Sequence, residues 1–107
     1  MSNLDLTFSA LSDATRRTIV SRLKAGELTL SELADPFDMS LTAVSKHIKV
    51  LSDAGLVSVT KRGRTRYCRL QVDPMKSAVD WLNDYSLFWE GQLESLARHL
   101  NKNGNET

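Results

Sequence analysis

Two short stretches of this chain hold side chains better suited to gripping a polyanion than to making or breaking bonds. In Ser40-Leu41-Thr42-Ala43-Val44-Ser45-Lys46-His47-Ile48-Lys49, a helix that turns Val44 and Ile48 inward presents Thr42, Ala43, Ser45, Lys46 and Lys49 outward. Hydroxyls bond to base edges, alanine can touch a thymine methyl, and lysine reaches guanine or phosphate. Ser40 and Thr42 stand at the start of that helix, where unpaired backbone N–H groups attract phosphate. His47, at the edge of the outward face, is placed with this set as a DNA-proximal residue. In the second stretch Arg62, Arg64 and Arg66 surround Gly63, and guanidinium groups pair with phosphate or enter a narrow minor groove. Tyr67 is read as the anchor of this segment.

The formal net charge of +1 hides an uneven division. Residues 40–70 carry seven basic residues against Asp53 alone, while the rest of the chain carries twelve acidic residues against seven basic ones. A basic segment in an otherwise acidic chain suggests a polyanion docked on one face. Covalent chemistry has no such support: paired carboxylates, a His-paired nucleophile and a phosphate-cradling Gly-rich loop are not recognisable. No enzyme and no cofactor is expected.

Elements that could position these residues follow from periodicity and capping. Leu4, Phe8 and Leu11 predict a first helix over 3–11. Ser12 reads as the N-cap of a second helix running to about Ala25, with Ala14, Ile19, Val20 and Leu23 inward and Gly26 as its left-handed stop. Thr29-Leu30-Ser31-Glu32 has the form of a capping box and opens a short helix with Leu30, Leu33 and Ala34 inward. Pro36 limits that helix, Phe37-Asp38-Met39 makes the turn, and Asp38 is placed at its left-handed centre. Ser40 then caps a helix ended by Gly55, with Val44, Ile48 and Leu51 forming one apolar stripe.

Beyond Gly55 the period changes to two. Val57 and Val59 alternate with Ser58 and Thr60, and after a turn near Gly63 the extended pattern resumes from Arg66 to Leu70. Asp73 and Pro74 are placed at N-cap and N1 of a single last helix. Its apolar stripe, Met75, Val79, Leu82, Ser86, Trp89, Leu93, Leu96 and Leu100, is flanked by Trp81, Tyr85 and Phe88. That face is too wide for one small core, so part of it is assigned to a second copy. Leu4, Phe8, Leu82, Tyr85, Trp89, Leu93 and Leu96 are the expected dimer contacts. The fold class is mainly α with a small β-hairpin: a winged helix-turn-helix of four helices, two strands and a last helix over 1–100, with a frayed tail at 101–107.

Several segments together resemble the ArsR-type winged helix-turn-helix regulators over roughly residues 4–100. They are Asp13-Ala14-Thr15-Arg16-Arg17, Leu33-Ala34 to Ser40, Ala43 to Leu51, Ala54-Gly55-Leu56-Val57 and the wing Lys61 to Leu70. The resemblance implies a homodimer, usually a repressor, that binds a short imperfect palindrome in double-stranded DNA. It also implies release when a signal arrives; a small molecule, a partner protein and nothing beyond concentration all stay open here. Metal-sensing relatives put paired cysteines in the helix before the recognition helix, but Ser31-Glu32-Leu33-Ala34-Asp35 has none. The last helix offers only His99 as histidine, and Asp80, Asp84, Glu90 and Glu94 are not at matching spacing. No metal site is expected, and the chain resembles the non-metal branch.

At 41% hydrophobic and 25% charged residues the composition is that of a soluble globular domain. Apolar runs are too short for a membrane span, and Met1 to Leu11 do not form a secretory signal. Cys68, the single cysteine, allows no internal disulfide and reads as a small hydrophobe, with a redox role under Arg66 and Arg69 as the minor alternative. A cytoplasmic protein is expected. The rival to DNA binding is a protein-interaction module, against which the basic wing argues.

Overall fold

The N-cap residues settle where the helices of the computed structural model begin. The structure describes residues 3–105, with the side chains of Ser86, Trp89 and 101–105 outside the description. Helix α1 (Asn3–Ala10) is followed by α2 (Ala14–Leu23), whose cap is Asp13 rather than Ser12. The Asp13 carboxylate accepts the Arg16 N–H at 3.2 Å, while the Ser12 hydroxyl turns back to the Ser9 carbonyl and closes α1. A carboxylate at this position also meets the positive end of the helix dipole. Gly26 follows α2 with a φ of +139°, positive but beyond the left-handed helical region assigned to it.

The capping box at Thr29 forms in both directions. Thr29 Oγ1 accepts the Glu32 N–H at 3.1 Å, and Glu32 Oε1 accepts the Thr29 N–H at 2.9 Å. It opens α3 (Leu30–Ala34) directly out of β1 (Leu28–Thr29), a strand the alternation pattern did not suggest. Among the described residues no non-glycine has a positive φ, so Asp38 is not left-handed. The chain instead rounds Phe37, whose ring packs on the core, and reaches α4 (Leu41–Asp53).

Helix α4 ends in a Schellman turn. The Gly55 N–H donates to the Ser52 carbonyl and the Leu56 N–H to the Leu51 carbonyl, both at 2.9 Å. Gly55 takes a φ of +77°, and a Cβ there would stand 3.4 Å from Pro74 Cγ. Strands β2 (Val57–Arg62) and β3 (Thr65–Leu70) then pair antiparallel, with Arg62 opposite Thr65 across the two-residue loop Gly63-Arg64. A positive φ at Gly63 alone matches a II′-type hairpin loop. β3 also pairs with β1, so the hairpin is part of a three-stranded sheet in the order β1-β3-β2.

The core lies between the helices and the inner face of this sheet. Ile19, Leu33, Val44, Leu51, Leu56 and Cys68 are fully buried at its centre. Thr7, Ala10 and Ala78 are buried too, whereas Ala14, assigned inward, is exposed.

The last helix is two. α5 (Asp73–Asn83) has Val72 as its cap residue, which moves Asp73 and Pro74 inside the first turn. α6 (Ser86–Asn105) follows Asp84 and Tyr85 and continues past Leu100 into the segment read as tail. The break falls at Asp84 and Tyr85, next to Asn83, and the short polar side chains of Asn83 and Asp84 belong to types that compete with helical backbone bonds. There the Tyr85 N–H takes the Leu82 carbonyl, three residues back, at 3.0 Å. α5 packs on α1, with Phe8 and Trp81 edge to face at 5.9 Å. Among the described residues α6 makes no contact with another element as extensive as that of α5 with α1. Leu93, Leu96 and Leu100 on α6 are 64%, 53% and 59% exposed. The radius of gyration is 18.4 Å, against about 13 Å for a compact domain of similar length. A helix of this length, about 30 Å, standing off the body accounts for the excess.

The caps make stability depend on acid. The Arg16 N–H holds the Asp13 carboxyl below its ordinary 3.8, with the charges of His47 and Arg16 adding to the effect. Bonds from Thr29 lower Glu32 in the same way. A carboxyl lowered in the folded state stabilises above its unfolded pKa and loses that contribution as pH falls through its folded one. Asp13→Asn keeps the cap acceptor and removes the charge. Urea unfolding should find the variant less stable at about pH 7, with the gap narrowing as the pH falls below the ordinary 3.8 of an aspartate. A gap independent of pH would refute the charge as its source.

Candidate nucleic-acid interface

The inner and outer faces of α4 separate as its stripe requires. Val44, Ile48 and Leu51 are buried, and Thr42, Lys46 and Lys49 are exposed. Beside that outer face the wing bends up, leaving an open groove of about 1000 Å³ between them. Thr42, Ser45, Lys46 and Lys49 form one wall, and Arg64, Thr65 and Arg66 form the other. Thr29 and Ser31, at the start of α3, also line the groove. The sequence reads Thr29 as a cap, and its Oγ1 accepts the Glu32 N–H. A trough with hydroxyls along one side and cations on both can accept a sugar-phosphate backbone while α4 faces the base edges.

Other candidates are engaged elsewhere. Ser40 Oγ accepts the Ala43 N–H at 3.1 Å, which fixes the start of α4. Ala43 is half-buried. His47 turns to α2 rather than to the groove: Nδ1 lies 3.3 Å from Arg16 Nη1 and 3.9 Å from Asp13 Oδ2. Donation from Arg16 to Nδ1 leaves the ring proton of a neutral His47 on Nε2. Arg16 also donates to the Ala10 carbonyl at 2.6 Å and to the Ser9 carbonyl at 3.2 Å. One guanidinium thus joins the end of α1, the start of α2 and the flank of α4.

The three wing arginines divide between two faces. Cross-strand pairing places Lys61 with Arg66 and Val59 with the buried Cys68, on the side that meets the core and the groove. Arg62 goes to the opposite side, where its guanidinium lies 3.8 Å from the centre of the Tyr67 ring and ion-pairs with Glu27. Tyr67 is therefore the platform for an arginine. Lys49 pairs with Asp53 one turn on, at 3.0 Å, and both reach the groove.

The expected dimer contacts are spread along one edge. Leu4 is half-buried on α1, Phe8 meets Trp81, and Tyr85 lies 5.2 Å from Trp81. Leu82, Leu93 and Leu96 are exposed, and the side chain of Trp89 lies outside the described residues. Cys68 is fully buried, and burial pushes its thiol above the ordinary 9.0 against a smaller opposing pull from Arg66. The lowered pKa that a reactive thiolate needs is absent. Among the described residues, no three of His, Cys, Asp and Glu gather as a metal site would require.

Comparison with known proteins agrees with this arrangement. A family model for a helix-turn-helix domain matches residues 11–60. The transcriptional repressor SdpR of Bacillus subtilis is 31% identical over 78 residues, spanning 73% of this chain and 87% of that protein. The crystal structure of an ArsR family transcriptional regulator is 42% identical, with a TM-score of 0.76 over 82% of this chain and 91% of that one. A homodimeric winged helix-turn-helix DNA-binding domain from Mycobacterium bovis, solved in solution, is 26% identical with a TM-score of 0.64 over 79% of this chain and 82% of that one.

Proposed function

The chain belongs to the ArsR family of helix-turn-helix transcriptional regulators, and on that footing we propose that it is a dimeric repressor of a short imperfect palindrome in duplex DNA. The groove shared by α4 and the wing carries this reading, because it places Thr42, Ser45, Lys46, Lys49, Arg64 and Arg66 around one trough. Thr42, Ser45 and Lys46 contact base edges, and Lys49, Arg64 and Arg66 hold phosphate. Ser40 contributes through the helix start it caps, Ala43 through close approach to a methyl group, and His47 by fixing the flank of α4. The work is binding rather than catalysis, and it is done in the cytoplasm. Among the described residues no helix is long and apolar enough to cross a membrane.

A second copy covers the apolar face of α6. Leu93 and Leu96 lie in its stripe, and an isolated helix with such a face gains by burying it. Pairing through α1, α5 and α6 sets two α4 helices about one DNA turn apart. SdpR bears the name of a repressor and the Mycobacterium bovis domain that of a homodimer, which supports both assignments. The cysteine-free α3 supports a regulator that does not sense metal.

Footprinting on the DNA upstream of its own gene, repeated with candidate effectors, tests the reading as a whole. Lys46→Ala should weaken binding, and Arg64→Ala should weaken it while reducing the salt slope by about 1 per protomer. Wild-type affinity in both variants would remove this face from the interface, and a wild-type chain that binds no duplex at low salt would sink the function. In sedimentation, Leu93→Asp and Leu96→Asp should run as folded monomers, since each sets a charge in an apolar seam. A folded dimer in both would refute that seam. Neither a chelator nor stoichiometric zinc should change the affinity; release of DNA by zinc would overturn the non-metal assignment.

A further inference from the structure

We propose that Glu27 is a positioning residue that withholds Arg62 and Arg69 from DNA and so limits the grip of the wing on duplex of any sequence. The inference rests on the DNA-binding reading above. β1 pairs Leu28 with Cys68 and Thr29 with Tyr67. One step back along the same antiparallel register stands Glu27, opposite Arg69 and on the same outer face as Thr29 and Tyr67. Arg62 leans along that face over the Tyr67 ring and reaches Glu27 Oε1, while Arg69 Nη2 lies 3.7 Å from Glu27 Oε2. Each carboxylate oxygen thus faces one guanidinium.

A carboxylate so placed takes up an Arg62 donor that a phosphate would use and draws Arg69 toward it by charge at 3.7 Å, because guanidinium presents the same fork to either group. The ring under Arg62 adds attraction from its π face and holds the side chain along the sheet. Arg64 and Arg66 line the groove instead. The wing therefore carries two sets of arginines, one turned to the groove and one drawn to Glu27 on the outer face of the sheet. Release of the second set would add contacts to phosphate alone, which strengthen binding to every sequence and lower discrimination. The short strand β1 gains a role here, since its pairing with β3 brings Glu27 to the wing.

Glu27→Gln keeps the shape and removes the charge. Fluorescence anisotropy on a labelled mixed-sequence duplex, over a series of salt concentrations, reads both affinity and salt slope. The variant should bind more tightly at low salt, with a slope steeper by about 0.9 for each phosphate newly engaged. In an Arg62→Ala, Arg69→Ala background, the same change should leave the slope where it was. Wild-type protein with no salt-dependent binding would overturn the parent reading and this one together. If wild type binds and Glu27→Gln has the same slope, only the withholding role fails. Equal steepening in the background without the arginines would trace the effect to net charge and refute it. Weaker binding by Glu27→Gln would also refute it, by showing that Glu27 aligns the wing for DNA.

Discussion

The angle between helix and wing hangs on a single turn. At the end of α4 the backbone must reverse without exposing the last carbonyls, and only a residue free to take a positive φ allows it. Gly55 does so, and the Leu56 and Gly55 N–H groups close on Leu51 and Ser52. Leu51 and Leu56, both fully buried, belong to the same core cluster on either side of the turn. The Gln71 N–H returns to the Leu56 carbonyl at 2.7 Å, so the hairpin leaves from the point where it started. Helix, wing and the entry to α5 are thus fixed at one place. Thr42, Lys46 and Arg64, distant along the chain, share a groove because of it.

A second constraint acts on the flank of α4. Its inner stripe fixes depth, but a stripe alone lets a helix roll. Arg16 opposes that roll by meeting His47 while holding two carbonyls of α1. The outer face can then carry small and flexible side chains without having to pack. Packing and recognition are divided between the two sides of one helix, and neither constrains the residue types of the other.

Much of this was legible in the residues. Thr29 with Glu32, Ser40 and Gly55 announce their helix ends because caps are local, and Val44, Ile48 and Leu51 announce a buried face because the helical period is regular. What was hidden depends on contacts distant in sequence. β1 has two residues and no period of its own; it exists because β3 offers an edge. The side taken by Arg62 follows from strand register and from Glu27, 35 positions away. His47 lies on a helix face that reads as outward until α2 covers it. Ser12 and Asp13 are both good caps, and the choice between them turned on which one α1 needed to close. The division of the last helix at Asp84 has only weak propensities behind it, and an unbroken apolar stripe conceals it.

That division has a mechanical consequence. In the proposed pair, the α6 part of the seam reaches each body through the two-residue joint at Asp84 and Tyr85, while α1 and α5 lie on the body side of it. α6 is a lever about 30 Å long, so a bend of about 10° at the joint swings its far end by about 5 Å relative to the body. Seen from the far end of α6, it is the reading head that moves. A step of that size is comparable to the rise of one to two base pairs, enough to carry paired heads out of phase with a fixed pair of half-sites.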